Sequence, residues 1–334
     1  MTELPSARPT GWFQIAWSTD LGNGNVKALH YFGTELVAFR GNDGRVRVLD
    51  AHCRHLGAHL GHGGCVVDND IQCPFHGWMW NGDGRNTHIP YHDKPNRVRR
   101  VRAWPVAERN DSIYIWHDSE GRPPSWEVPE AFTALGNHIA RVDYFPLTEQ
   151  ARSRHARVHV HPQVIAENAV DPWHFRFVHH TPHAPVVLRE TVAGATWQSK
   201  VGFGRRWSDG VDRPEDTSNT IEILWSGIGL SFNGEVTADG IRVIAICPTP
   251  VDDTTTDIFA TYWIDKDHGR YDERLAQAKL ALPDDIAIWE HQKYMDPPGL
   301  APSEAAGFRR LRTWAAGFYP ETAHADPNSA AAPV

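Results

Sequence analysis

The chain has 334 residues, of which 41% are hydrophobic and 22% are charged, as expected for one large or two medium globular domains. Its formal net charge of -8 argues against a general nucleic-acid-binding protein. The sequence contains neither a run of 18 apolar residues nor a secretory h-region, so we expect no transmembrane segment and a cytoplasmic protein.

The first third of the chain shows short β segments separated by turns rich in Asn, Asp and Gly. Residues 46–49 (VRVL) and 113–116 (IYIW) are typical strands, and no helical spacing of apolar residues occurs before about residue 125. Residues 121–124 (GRPP) then mark a boundary. The sequence therefore predicts a small all-β domain over residues 11–120.

Two cysteine–histidine pairs lie within this predicted domain. Cys53 and His55 form a C-x-H pair, and after seventeen further residues Cys73 and His76 form a C-x-x-H pair. A Rieske 2Fe–2S centre requires two cysteines on one iron and two histidines on the other. Because each loop supplies one thiolate and one imidazole, the two loops can hold a cluster from either side. These four residues are the expected cluster ligands.

A structural zinc site is the alternative for the same four side chains. Zinc fingers usually pair like ligands, two cysteines and then two histidines, whereas this chain interleaves them. The interleaved order favours the iron–sulfur cluster. Of the remaining cysteines, we expect Cys65 to be a packed free thiol and Cys247, in an apolar strand, to lie in the core.

The rest of the chain mixes helical and strand patterns. Residues 163–180 are predicted to be helical, and residues 221–225, 241–247 and 258–264 to be strands. A second helical stretch covers about residues 271–294 and should be interrupted near Pro283. These patterns predict an α+β domain over residues 125–320, followed by a disordered, Ala- and Pro-rich tail over residues 321–334.

A second candidate metal site lies in the stretch at 167–180. His174 and His179 are five residues apart, which places them roughly 140° apart on a regular helix by the 100° step. A local break or a widened turn would let both imidazoles reach one metal. Two histidines with one carboxylate form the facial triad of non-haem ferrous oxygenases, which leaves positions open for dioxygen.

The carboxylate of this triad has to come from another part of the chain. We expect it to be Asp285, in the segment PDDIAIW, with the adjacent Asp284 as the nearest alternative and Glu167 as a weaker one. His180 could replace His179 if the helix is irregular. A pair of histidines alone would carry little weight, but an electron-transfer cluster upstream requires an acceptor.

With these motifs, the chain resembles the α-subunits of Rieske non-haem iron oxygenases, and most closely the 3-ketosteroid 9α-hydroxylases and cholesterol 7-desaturases. The likeness includes the segments CRHLGAHL (53–60), CPFHGW (73–78), GDGR (82–85), IPY (89–91), IWH (115–117), DPWHFRFVH (171–179), DIAIW (285–289) and RRLRTWAAGFY (309–319). It extends over residues 11–320, with a poorly matched stretch from about 184 to 280.

The resemblance implies an all-β Rieske domain, a helix-grip catalytic domain and a homotrimer. In such trimers, the cluster of one subunit faces the mononuclear iron of its neighbour. An aspartate that matches Asp171 connects the two sites, and Asn168 matches a position that is often polar near the iron. Both are expected catalytic residues. Alternatively, Asp171 caps a helix that begins at Pro172.

The predicted function is that of a terminal oxygenase that hydroxylates or desaturates a bulky apolar substrate, such as a steroid, with O2. Gly202 and Gly204 are not followed by the third glycine of a dinucleotide fingerprint, so a separate reductase or ferredoxin should supply the electrons. One rival is a tailoring oxygenase of natural-product synthesis that acts on a non-steroid. The other, from a different class, is a Rieske electron carrier.

Overall fold

Three antiparallel sheets make up the first third of the chain. In this computed structural model, which describes residues 6–320, the strands are β1 (Gly11–Trp17), β2 (Val26–Tyr31), β3 (Thr34–Arg40), β4 (Val46–Asp50), β5 (Cys65–Val67), β6 (Asp70–Gln72), β7 (Met79–Trp80), β8 (Asn86–His88), β9 (Ala103–Trp104), β10 (Val106–Arg109) and β11 (Ser112–His117). The strand orders are β1–β11–β10, β2–β3–β4–β9 and β5–β6–β7–β8. The predicted strands at 46–49 and 113–116 lie within β4 and β11, and the expectation of an all-β N-terminal region is confirmed.

A seven-stranded antiparallel sheet forms the centre of the second part. Its strands are β12 (Arg152–Val158), β13 (Val186–Ala193), β14 (Thr196–Gly202), β15 (Thr220–Ser226), β16 (Leu230–Thr237), β17 (Gly240–Pro250) and β18 (Thr256–Ile264), in the spatial order β12–β18–β17–β16–β15–β14–β13. The predicted strands at 221–225, 241–247 and 258–264 lie within β15, β17 and β18. The α+β fold class predicted from the sequence is confirmed.

Helices pack on both faces of this sheet. They are α1 (Ala131–Ala134), α2 (Asn137–Ala140), α3 (Pro162–Glu167), α4 (Pro172–Phe177), α5 (Tyr271–Ala278), α6 (Ala281–Trp289) and α7 (Ala305–Ala316). No helix in the described part of the chain has both the length and the apolar character needed to cross a bilayer. The predicted disordered tail, residues 321–334, lies outside the described residues.

The two faces of the seven-stranded sheet pack against different partners because strand side chains alternate between faces. Phe232 and Val243 belong to the core that also contains Trp12 and Phe13 of β1, whereas Ile244 and its same-face neighbours pack with helices α3, α5, α6 and α7. Both faces are therefore covered, which explains why β17 and β18 are apolar almost throughout.

The sheet and the N-terminal strands approach each other closely. A Cβ on Gly229, in the β15–β16 turn, would lie 2.3 Å from the carbonyl oxygen of Trp12, so only glycine fits there. The indole of Trp17 donates to Thr261 of β18 at 2.8 Å, and the backbone N–H of Thr10 donates to the carbonyl of Phe318 at 2.6 Å. One continuous core thus joins the first and second parts of the chain.

One helix prediction needs correction and the other is confirmed. Residues 163–180 do not form one helix, since α3 and α4 are separated by a 3-10 turn at Asn168–Val170. The second helical stretch is interrupted at residues 279–280, between α5 and α6, so the predicted interruption near Pro283 is confirmed. Pro283 is the third residue of α6, in the first turn, where a helix has no intrahelical partner for the N–H that proline lacks.

Candidate metal centres

Cys53 and Cys73 begin two loops that have the same backbone turn. In each loop the cysteine N–H donates to the carbonyl five residues later, and the N–H of the residue four positions later donates to the cysteine carbonyl. That later residue is Gly57 in the first loop, with φ of 82°, and Gly77 in the second, with φ of 70°. Glycine is favoured at both positions because side chains disfavour the left-handed region. The repeated turn places both cysteines at its first position, while the histidine is the third residue of the first turn and the fourth of the second.

The side chains of the cysteine–histidine pairs meet their like partners across the two loops. The imidazole rings of His55 and His76 lie 4.8 Å apart. Both thiols are buried, Cys73 lies beside Cys53, and the indole N–H of Trp80 donates to Cys53 Sγ at 3.3 Å. Burial raises the pKa of the Cys53 thiol to about 11. The two thiols thus lie together, and so do the two imidazoles.

The polar atoms at this first centre fit a bound group. His76 Nδ1 is buried and has no hydrogen-bond partner among residues 6–320. Such an orphaned imidazole nitrogen is costly unless a ligand satisfies it. The donor set of two sulfurs and two imidazole nitrogens is the one that a Rieske 2Fe–2S cluster requires. The residues present fit that cofactor.

The two other cysteines behave differently from each other. Cys247 is fully buried in β17, so its assignment to the core is correct. Cys65 is exposed on the short strand β5, and the expectation of a packed thiol was wrong. The sequence pattern did not indicate that this position of the β5–β6 hairpin faces solvent.

The second centre is built on the break between α3 and α4. Asp171 is the N-cap of α4, where its Oδ1 accepts from the backbone N–H groups of Trp173 and His174 at 2.9 and 3.3 Å, and Pro172 is the first helical residue. At the other end the helix widens, because the N–H groups of Val178 and His179 both donate to the carbonyl of His174, at 2.7 and 3.4 Å. The one-residue widening turns His179 back toward His174.

The structure brings His174, His179 and Asp285 together. One ligand atom from each lies within 4.8 Å of the others. His179 Nε2 is 3.3 Å from Asp285 Oδ1, and the two imidazole rings are 5.3 Å apart and nearly perpendicular. Asn168 also reaches this point, since its Nδ2 donates to Asp285 Oδ1 at 3.4 Å. The carboxylate comes from α6, more than a hundred residues after the histidines.

The electrostatics of this triad suit a cation. Burial lowers the pKa of His174, which favours the neutral, ligating imidazole. Its Nδ1 lies against the backbone carbonyl of Asp171, so Nδ1 carries the proton and Nε2 keeps its lone pair. Burial also opposes the charging of His179, but the hydrogen bond and the charge of Asp285 outweigh it, so the pKa of His179 is raised. His179 Nδ1 is buried without a partner in the described range. These residues fit a mononuclear iron.

The alternatives considered from the sequence lie elsewhere. Asp284 is exposed on α6, and His180 is exposed with a positive φ of 53°. Glu167 is buried and forms a two-pronged ion pair with Arg312 of α7, at 2.8 and 3.0 Å. None of these three side chains belongs to the group around His174.

A cleft opens from the triad toward the seven-stranded sheet. Its apolar wall includes Ile223, Trp225, Ile244, Ile246, Leu282 and Trp289. A polar stripe, formed by Ser231, Asn233 and Glu235, crosses this wall along β16. Sequence reasoning missed these three residues. Their alternation with Phe232 and Gly234 was the available signal, but it does not tell which face of the strand meets the cleft.

Comparisons with known proteins agree with this architecture. The family model described as Rieske [2Fe-2S] domain matches residues 11–105, and the model described as 3-ketosteroid 9α-hydroxylase C-terminal domain matches residues 115–319. A probable 3-ketosteroid-9-alpha-monooxygenase oxygenase component of Rhodococcus rhodochrous is 29% identical, over 94% of this chain and 81% of its own. Cholesterol 7-desaturase nvd of Hemicentrotus pulcherrimus is 28% identical, over 96% of this chain and 71% of its own.

Two solved structures share the fold. Dicamba monooxygenase bound to dicamba superposes with a TM-score of 0.66 at 18% identity, over 94% of this chain and 98% of that one. NdmA of Pseudomonas putida CBB5 with caffeine superposes with a TM-score of 0.69 at 19% identity, over 91% and 89%. At such identity the likeness establishes the fold alone.

Proposed function

Because this chain belongs to the Rieske oxygenases whose C-terminal domain is that of the 3-ketosteroid 9α-hydroxylases, we propose that it is the terminal oxygenase of a multicomponent system acting on a steroid-like substrate. The observation that carries the proposal is the triad of His174, His179 and Asp285 at the wall of an apolar cleft. A Rieske electron carrier binds no organic substrate, so it would not require such a cleft.

The cofactors follow from the donor sets of the two centres. Cys53, His55, Cys73 and His76 would hold the 2Fe–2S cluster, and His174, His179 and Asp285 would hold one Fe2+. When bound, these groups supply single-electron storage and O2 activation for attack on a C–H bond. The domain limits, residues 11–120 and 125–320, belong to the same proposal and are supported by the extents of the two family matches.

The protein's own residues orient and shield this chemistry. Asn168 donates to Asp285 and thereby restrains the carboxylate. The Asp171 Oδ1 atom caps α4, which leaves Oδ2 without a partner in the described chain. That oxygen can accept an imidazole N–H from a cluster histidine of a neighbouring subunit, and Asp171 would then connect the two centres in a homotrimer. Apolar walls keep water from the reacting carbon.

The substrate is a bulky apolar molecule with few polar groups. The relatives' names specify a 3-ketosteroid and cholesterol, and the cleft is apolar apart from the polar stripe and the triad with Asn168. Binding should come mainly from apolar burial, with a few polar anchors that set orientation. A separate reductase or ferredoxin delivers the electrons, and the cytoplasmic location remains a prediction.

Turnover assays test this assignment. Purified protein with a reductase and O2 should convert a 3-ketosteroid or a sterol to a product that has gained one oxygen atom or lost two hydrogen atoms, as measured by mass spectrometry. The Asp285→Ala variant is the matched control and should give no product. Turnover restricted to small acidic aromatics would refute the steroid assignment. Turnover of a non-steroid natural product alone would favour the tailoring-oxygenase alternative.

A further inference from the structure

A chain of aromatic contacts connects the first centre with the protein surface. The indole of Trp78 stacks on the imidazole of His55, with ring centroids 4.5 Å apart and planes within 5°. Trp78 is itself buried, and its Nε1–H donates to the hydroxyl of Tyr91 at 2.8 Å. Tyr91 is 63% exposed. One stacking contact and one hydrogen bond therefore lead from an expected cluster ligand to solvent.

The surface beside Tyr91 is basic, although the chain as a whole is acidic. Lys94, Arg97, Arg99 and Arg100, here called the basic segment, are all exposed, and none forms an ion pair with another described residue. Asp93 is the acidic residue within the same stretch. In a chain with a formal charge of -8, unpaired cations at this density indicate a local field directed at a partner.

The basic segment is held in place next to the aromatic chain. The buried Asn86 accepts from the N–H of Asn96 at 2.8 Å, and Asn96 Oδ1 accepts from the N–H groups of Val98 and Arg99, each at 3.0 Å. Trp78, Tyr91 and Lys94 line one open cleft. Val98 is 87% exposed, so the segment also presents an apolar contact at its tip. A fixed, basic rim around an exposed aromatic is suited to transient docking of a negatively charged protein.

We infer that this face, the basic segment with Tyr91, is the docking surface for an acidic iron–sulfur electron donor, and that Tyr91 and Trp78 carry the electron inward to His55. The inference rests on the proposed function, which requires a cluster at His55. Each encounter moves one electron from the reduced donor to the oxidised cluster, and no bond is made or broken. Charge complementarity at such surfaces mainly accelerates and orients encounter.

Charge reversal tests the docking surface directly. The probe is a purified plant-type 2Fe–2S ferredoxin of net negative charge, and the readout is its equilibrium binding to the full-length protein at low and high salt. The double variant Arg97→Glu/Arg99→Glu should bind about tenfold more weakly at low salt and show a shallower salt dependence. The matched control is Arg141→Glu/Arg309→Glu, which reverses two exposed arginines that also form no ion pair with any residue in the range 6–320.

The comparison has clear outcomes. Weaker binding in the basic-segment variant with near wild-type binding in the control supports the docking surface, whereas equal effects, or none, overturn it. Reduction by dithionite, a small reductant that needs no docking, should be unchanged in both variants. A purified wild type without iron–sulfur absorbance would refute the proposed function, a result that the ferredoxin-binding comparison does not depend on.

Stopped-flow reduction by the same ferredoxin tests the inward route. Tyr91→Leu should slow cluster reduction severalfold at saturating ferredoxin while leaving dithionite reduction intact, and Tyr91→Phe, which keeps the ring, should be intermediate. Wild-type reduction rates in Tyr91→Leu would show that the electron enters elsewhere.

Discussion

Asp285 and Asp284 are neighbours on α6, yet the carboxylate of Asp285 alone meets the two histidines. We predict that Asp285→Ala loses the mononuclear iron and keeps the 2Fe–2S spectrum, because the cluster loops lie in a different part of the chain. Metal analysis and electron paramagnetic resonance would measure both. Asp284→Ala is the matched control and should retain all its iron. The reverse result would mean that the triad uses Asp284.

Asp171 caps α4 and, in our proposal, also connects the two metal centres. A substitution can separate these two roles. Asp171→Asn keeps most of the capping ability, so its stability loss should be of order 1 kcal/mol or less. If Asp171 connects the centres, turnover should nevertheless collapse while the cluster remains reducible. Single-turnover kinetics on pre-reduced protein would measure this. Product formation at the wild-type rate would leave Asp171 with the capping role alone.

At the scale of single residues, spacing along the chain predicted the metal ligands that share one loop or one turn. It did not predict residues whose orientation depends on strand pairing. The two cysteine–histidine pairs and the five-residue interval between His174 and His179 are readable because neighbours along the chain share one loop or one turn. Ser231 and Asn233 were missed, since their orientation depends on how β16 pairs with β15 and β17. That pairing is set by contacts distant in sequence, which a single strand does not encode.

The ion pair between α7 and α3 fixes the helix that precedes the triad. Arg312 and Glu167 are mostly buried, with side chains 17% and 10% exposed. Replacing Arg312 with Leu would leave an uncompensated buried carboxylate and should cost about 3 kcal/mol in the free energy of unfolding. Adding Glu167→Gln should recover part of that loss, because a neutral amide is easier to bury. Urea unfolding of the single and double variants would measure it, and equal losses in both would contradict a charge effect.

At the scale of elements, strands with continuous apolar runs were predictable, while helix limits and edge strands were not. β15, β17 and β18 are apolar because both sheet faces are covered. β13 lies at the sheet edge and its residues are half-buried or exposed, so it gives a weak signal. Helix α7 was not predicted, because adjacent arginines at 309 and 310 obscure the apolar side that includes Leu311 and Trp314.

The whole molecule should contain about three irons per chain, two in the cluster and one at the triad. Purified protein should be brown and show a rhombic electron paramagnetic resonance signal after reduction. Cys73→Ser should abolish the colour, because it removes one of the two thiolates on which the cluster depends. A colourless wild type that contains only zinc would end the Rieske interpretation. Two irons per chain would favour an electron carrier.

Because one core joins β1 to the seven-stranded sheet, the visible colour of the protein should report on whether the sheet is folded. Trp12 and Phe13 pack with Phe232 and Val243, so melting of the sheet also removes the support of the N-terminal strands. β3 continues this link, since Leu36 lies in that core while Val37 lies in the core around Cys53. Bleaching of the visible chromophore on heating should therefore coincide with the loss of far-ultraviolet circular dichroism, and the brown colour becomes an internal gauge of whether the substrate cleft is intact.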